Sequence, residues 1–452
     1  MAMIDQLSEY LVRARTADLP AEVARKGKHH ILDTLAAMVS ALGLRPGRLA
    51  LRYARSQRGV RESTIVGSGN IMAPAATAAL ANGILAHADE TDDTHWSSRT
   101  HPGCAIIPAA LSMAEKENSD GRTLLNAVVA GYDIGCRLTR ALGVAHTGFH
   151  STHSIGGTFG AAVAASTLAG LSAQQIRWAL SYAAQQASGV RSWVADSEHI
   201  EKAFDFGGMP ARNGVSAATL VQTGFTGMYD VFEGEKNFLS AYSPSPEPGR
   251  LVQDLGHRYE IMTTSIKRFP VGAPIQAAAE ALLLIKERHD LRPESIERVV
   301  VRLPVDGAET VNNRHMPDIN LQYIIAVILL DGNLSFEAAH DYRRMKEKRL
   351  VKMKERVDLI PDQSLSQAQI PRQGIVEVTT QSGENFREHV VSARGTPDNP
   401  MSTEEVEKKA LHLMAPVLGA AQAEDLVAKI SRLESLATAR ELGSLLKIKK
   451  QN

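Results

Sequence analysis

The chain has 452 residues, of which 44% are hydrophobic, enough for two to three domains with a sizeable core. Lys+Arg is 50 and Asp+Glu is 50, so there is no net charge and no basic footprint for a nucleic-acid partner. Two cysteines are too few for a disulfide framework or a thiolate-held iron–sulfur cluster, the N-terminus lacks the apolar core of a signal peptide, and no apolar run approaches the ~18 residues of a membrane span; the expectation is a cytoplasmic globular protein away from membranes.

From the start to about residue 240 the pattern is helical, with apolar residues three and four apart in "LSEYLVRART", "ARKGKHHILDTLAAMVSALG" and "GRTLLNAVVAGYDIGCRLTRALG". Within this region "HADETDDTHWSSRTHPG" (87–103) packs three histidines and four carboxylates between apolar, Ala-rich flanks. Read as a helix ending before Pro102, it puts His87, Glu90 and Thr94 on one face with Asp93 beside them. Glu90, Asp93 and His101 then converge, and a carboxylate with an imidazole is what proton transfer next to a carbonyl requires. The bland alternative is a capping loop. A metal site is the other, but the spacing fits no familiar ligand motif, so no metal and no cofactor are expected.

Further along, "HTGFHSTHS" carries His146, His150 and His153 into "SIGGTFGAAVAASTLAG", whose small residues suit a closely packed central helix. A capping box opens the next helix at Ser172 with Gln175. Lys202 lies in the Gly/Pro-rich "EKAFDFGGMPARNG". Near residue 259 the texture changes: "YEIMTTSIKRFP" reads as β-rich, "IERVVVRLPV" as a strand, and "GIVEVTTQSGENFREHVV" as two strands about a turn. Helices "PIQAAAEALLLIKERH" and "LQYIIAVILLDG" lie between them, and the charged run "YRRMKEKRLVKMKERV" reads as a solvated helix. Lys267 and Arg268 in "IKRFPVG" stand at the change of texture, where adjacent cations beside a cleft make a carboxylate clamp. Tyr323 is read either as a core tyrosine or as a hydroxyl facing that cleft, and the adjoining "NNRHMPD", with His315 and Asp318, has no assignable role. After the "GTPDNP" loop, Ser402 with Glu405 opens a capped helix and the chain ends helical. The fold expected is mainly α: a large all-helical domain over 1–266 completed by 394–452, with a smaller α+β lid domain at 267–393.

These stretches, in this order and over essentially the whole chain, resemble the MmgE/PrpD family, whose activities include 2-methylcitrate dehydratase, cis-aconitate decarboxylase and iminodisuccinate epimerase. "HADETDDTH" followed by "HPG" matches the family hallmark; "GFHSTHSIGGTFGAAVAAS", "KAFDFGGMPARNG" and "KRFP" look like its later segments. The resemblance carries site roles onto Glu90, Thr94, His101, His150, Lys202, Lys267 and Tyr323, and implies a homodimer working without a metal. Three places depart from the pattern: Gly272 and Gln276 stand where the family usually has cysteine or histidine, and "AFDFGG" replaces a histidine after the Lys202-type lysine.

The function expected is a cofactor-independent hydro-lyase on a small di- or tricarboxylic acid of the 2-methylcitrate or aconitate type. His101 removes the proton alpha to a carboxylate; Glu90, Asp93, His150 or Tyr323 serves as the second proton carrier; Thr94, Lys202, Lys267 and Arg268 bind substrate. Epimerisation of an iminodisuccinate-like diacid comes next, then decarboxylation, then an inactive binding paralogue. A metal-dependent hydrolase rests only on the density of histidine and carboxylate.

Overall fold

The computed structural model describes residues 2–57, 59–143, 148–370 and 372–448; His146 lies outside them. The molecule is mainly α, and its contacts divide it into two compact units. The larger takes in 1–88, 92–264 and 402–452; the smaller takes in 265–401 together with the short segment 89–91. No helix among the described residues is long and apolar enough to cross a membrane.

In the larger unit the helices Gly121–Leu142 and Thr152–Leu168 form the centre. Their glycines interlock: a Cβ on Gly135 would meet the carbonyl oxygen of Gly156 at 2.7 Å, and one on Gly131 that of Gly160 at 2.8 Å. Backbone packs on backbone here, which is why the Gly/Ala-rich run can be buried along its whole length. The capping boxes at Ser172 with Gln175 and at Ser402 with Glu405 are both formed. The unit is not wholly helical, since Ser63–Thr64 pairs with Met72–Ala73 as a short antiparallel ribbon.

The smaller unit is a four-stranded sheet ordered Val357–Asp362, Ile296–Pro304, Gly374–Thr380, Asn385–Val390, the first pair parallel and the rest antiparallel. Val299, Val301, Val376 and Val378 join helices Gln276–Arg288 and Leu321–Asp331 in one core. Two readings change. "YEIMTTSIKRFP" forms no strand: Glu260–Thr263 is a 3₁₀ turn, tied by Glu260 N–H to Asp133. The charged run is α-helical only over Lys348–Lys354, after a 3₁₀ turn at Arg344–Lys346, with Leu350 and Met353 buried, and then gives way to the parallel edge strand.

Candidate active site

The helix Ala75–Ala86 stops before the acidic stretch rather than running through it, leaving His87 as its C-cap. The physical reason is local competition for the backbone: the Asp89 carboxylate accepts from Thr91 N at 3.1 Å and Thr91 Oγ1 at 2.5 Å, while Thr94 Oγ1 donates to Thr100 O at 3.4 Å. His95 and Thr100 then pair as a β-bridge before the next helix begins at Gly103. The shared helical face of His87, Glu90 and Thr94 therefore does not exist.

In the larger unit the stretch builds a histidine cluster. Asp92 is its centre, with Oδ2 2.9 Å from His87 Nδ1 and Oδ1 3.1 Å from His101 Nδ1. A carboxylate on Nδ1 fixes that nitrogen as the donor and orients each ring. Burial pushes the His87 pKa down despite the pull of Asp92, so this ring is neutral. His101 keeps 10% side-chain exposure.

Phe206 forms an aromatic wall for the cluster. Its ring stacks on His153 at 3.6 Å between centroids and on His87 at 4.4 Å, with Trp193 edge-on at 4.7 Å. Lys202, 7% exposed, holds its ammonium 5.2 Å from the Phe206 ring centroid and 5.8 Å from that of Trp193. A close glycine contact sets this wall in place: a Cβ on Gly83 or Gly207 would collide with the other's carbonyl, so the π-helical turn Phe204–Gly208 sits directly on the Ala75–Ala86 helix. Ser151, N-cap of Thr152–Leu168, donates to Asp205 and ties the same turn to the histidine-bearing helix start.

Several expected site residues have other employment. Asp93 accepts from His30 Nδ1 at 2.6 Å, Tyr132 Oη at 2.6 Å and the Gly103 amide at 2.9 Å, so it ties three helices together. His150 pairs through its backbone with Val190 and packs its ring 5.1 Å from Tyr242; it is His153 that joins the cluster.

In the smaller unit, Lys267 is 2% exposed and donates from Nζ to Glu90 Oε2 at 2.9 Å and to Glu90 O at 3.0 Å. Arg268 points elsewhere, 3.5 Å from Glu280 and stacked on Phe269, so the two cations do not form one clamp. The Tyr323 hydroxyl donates to Ala338 O at 2.6 Å and to Asp341 O at 3.4 Å, and its ring lies in the core. Gln276 is also explained: Oε1 accepts from Phe269 N, and Nε2 donates to Phe269 O at 2.9 Å and Val271 O at 2.8 Å, so it shapes the turn after Lys267. Gly272 donates its amide to Asp318 O at 2.9 Å in the same turn.

His87, Asp92 and Cys104 bring possible metal-ligand atoms within 4.8 Å of one another. Both Asp92 oxygens face imidazoles, and the Cys104 thiol donates to His101 O at 3.1 Å and Phe206 O at 3.4 Å. Sequence reading missed Asp92, which "DD" hid beside Asp93, and Phe206, whose place against the histidines only the stacking reveals.

Comparison with known proteins completes this picture. The sequence model of the MmgE/PrpD N-terminal domain matches residues 5–251, and that of the MmgE/PrpD C-terminal domain matches 269–434. The cis-aconitate decarboxylase of Homo sapiens is 28% identical over 458 residues, covering 96% of this chain and 92% of that protein. The same-named protein of Mus musculus is 27% identical, covering 94% and 89%. The cis-aconitate decarboxylase-like protein oryM of Aspergillus oryzae is 23% identical, covering 98% and 96%.

Proposed function

Because this chain belongs to the MmgE/PrpD family, we propose that it is a cofactor-independent lyase acting on a small tricarboxylic acid of the aconitate type, with decarboxylation its first reading. The similar proteins named as decarboxylases move that reaction ahead of the dehydration and epimerisation that the sequence alone favoured.

The observation that carries the proposal is His101, oriented through Nδ1 by Asp92 and keeping 10% side-chain exposure. In an unsaturated tricarboxylate, breaking the bond between a methylene carbon and its carboxylate releases CO₂ and leaves an electron pair. That pair shifts through the neighbouring double bond and is captured by one proton at the far carbon. His101 Nε2–H delivers the proton, and Asp92 stabilises the imidazolium before transfer. The neutral His87 and the Phe206 wall keep the surroundings apolar, which strengthens each charge interaction made there. Lys202 in the larger unit and Lys267 in the smaller are each assigned to a carboxylate, the point charge suiting an anion without a metal. Dehydration or epimerisation would use the same imidazole in reverse, as a base.

The test is incubation of the purified protein with cis-aconitate in D2O, followed by NMR. Decarboxylation gives CO₂ and a product carrying one deuterium per turnover. Deuterium uptake without CO₂ loss returns the assignment to dehydration or epimerisation, and no change with any tricarboxylate leaves the inactive paralogue. Turnover that survives prolonged chelation supports cofactor independence; rescue of a chelated enzyme by one divalent metal refutes it. A homodimer belongs to the proposal, and sedimentation showing only monomer at micromolar concentration would exclude it.

A further inference from the structure

His340 follows the short helix Phe336–Ala339 in the smaller unit. Its Nδ1 lies 2.6 Å from the Phe336 carbonyl, and its Nε2 lies 2.9 Å from Asp89 Oδ2 and 4.0 Å from Asp318 Oδ2. The Nδ1 contact is a hydrogen bond and the Nε2 contact an ion-pair approach; a carbonyl and a carboxylate can only accept, so both ends favour the charged ring. The three side chains are 9%, 1% and 4% exposed, so the charges meet with little solvent between them. Phe336 packs on the ring at 4.2 Å. The Tyr323 hydroxyl holds the carbonyls of Ala338 and Asp341, which lie on either side of His340 in the chain, and so fixes the turn that presents the imidazole.

Asp89 is the first residue of the three-residue segment that the smaller unit takes from the acidic stretch. Its carboxylate already folds back on Thr91 N and Oγ1, which makes 89–91 a closed turn. The middle residue of that turn is Glu90, whose carbonyl and carboxylate are both bound to the Lys267 ammonium. One contact path therefore runs from Tyr323 through the 338–341 turn, His340 and Asp89 to Glu90 and Lys267.

We propose that His340 is a positioning residue: as an imidazolium it clamps the 89–91 turn and thereby holds Glu90 against Lys267, setting where the lysine's charge stands. The proposal rests on the reading of Lys267 as a carboxylate-binding residue. Burial works against the charged ring, but the bond to Asp89 and the charges of Asp89 and Asp318 outweigh it and raise its pKa to about 9. The groups facing it are Asp89, Asp318 and the Phe336 carbonyl, all acceptors. The clamp is closed at neutral pH and opens as pH rises through about 9.

The test measures binding of propane-1,2,3-tricarboxylate, a saturated tricarboxylate, by calorimetry from pH 6.5 to 9.5 for the full-length protein and for His340→Gln, Lys267→Ala and their combination. His340→Gln weakens binding about tenfold at pH 7, the loss of one charge-assisted contact acting through the lysine. It also removes the wild-type fall in affinity near pH 9, and adds nothing in the Lys267→Ala background. Asp89→Asn in the His340→Gln protein restores most of the affinity, because it removes the carboxylate left unbalanced; this double variant also serves if His340→Gln does not fold. Wild-type affinity in His340→Gln, or a full additional loss in the combined variant, overturns the proposal. If Lys267→Ala itself binds like wild type, the carboxylate role of Lys267 fails instead. The clamp is then judged by the Lys267 side-chain signal in lysine-labelled NMR spectra, where no change between wild type and His340→Gln refutes it.

Discussion

Three histidines buried beside aspartates, His30 and His87 in the larger unit and His340 in the smaller, stand in opposite protonation states. In the larger unit His30 has Asp93 on Nδ1 and His87 has Asp92 on Nδ1, while neither Nε2 has a hydrogen-bond partner among the described residues. Burial then dominates: the His30 pKa falls to about 4 and that of His87 is lowered. In the smaller unit His340 faces an acceptor at each nitrogen, and its pKa rises to about 9 against the same burial. One carboxylate orients an imidazole; acceptors at both ends charge it. The first arrangement suits proton transfer and the second, which His95 also takes beside Glu260 in the larger unit, suits holding charges in place; the proposal accordingly gives chemistry to His101 in the larger unit and charge placement to His340 in the smaller.

The sharpest way to break that division is His101→Asn. Removing the proposed proton carrier should lower kcat by about 10²–10⁴-fold. Product formation followed by NMR measures it. A variant with wild-type turnover would move the proton chemistry out of the larger unit's histidines.

Lys267→Ala probes the other side. Losing a carboxylate contact should weaken tricarboxylate binding about tenfold to a hundredfold. It should also destabilise the protein by about 3–5 kcal/mol, because Glu90 is left buried without its cation. Adding Glu90→Gln should recover most of the stability and none of the affinity. If denaturant melts show affinity and stability recovering together, Lys267 is a structural residue alone.

Linkage to pH separates the units again. Glu260, in the larger unit, is buried, yet His95, Arg140 and Arg258 pull its pKa down to about 2. Its contribution is present above the ordinary value of 4.5 and lost as pH falls towards 2. His340 has a raised pKa, so its contribution is full below 6.5 and lost as pH rises through about 9. Denaturant melts across pH should show an acid limb reduced by Glu260→Gln and an alkaline limb, shared with His95, reduced by His340→Gln. A limb unchanged by its variant belongs to other groups.

How much of this was legible in the sequence depended on how local the cause was. Caps are local, so Ser172 with Gln175 and Ser402 with Glu405 could be read directly. The small-residue helix was legible because glycine spacing encodes close approach. The acidic stretch was misread as helix because its side chains bond to its own backbone, which periodicity does not register. His101 and Lys202 were marked by composition, but Asp92 and Asp93 look alike in sequence. Only tertiary partners distinguish the one that orients His101 from the one that binds His30, Tyr132 and Gly103. His340 lies about 250 residues from Asp89, in a charged stretch with nothing to single it out.

The smallest expected effect concerns Tyr323, which separates a proton carrier from a tether. Its hydroxyl is spent on Ala338 O and Asp341 O, and burial pushes its pKa up, so the phenol keeps its proton. Tyr323→Phe removes that donor and leaves the packing of the ring, at a cost of about 1 kcal/mol in stability. The two carbonyls then hold the His340 turn less firmly, and binding of a tricarboxylate should weaken by no more than about threefold, with kcat unchanged. The counterpart in the larger unit, Tyr132→Phe, takes one of three donors from a buried carboxylate and should cost about 1.5–3 kcal/mol, more than its namesake. Paired melts and initial rates on the two variants check the order. A fall in kcat of a hundredfold in Tyr323→Phe would mean that the smaller unit supplies a proton after all, and the division between the units would not stand.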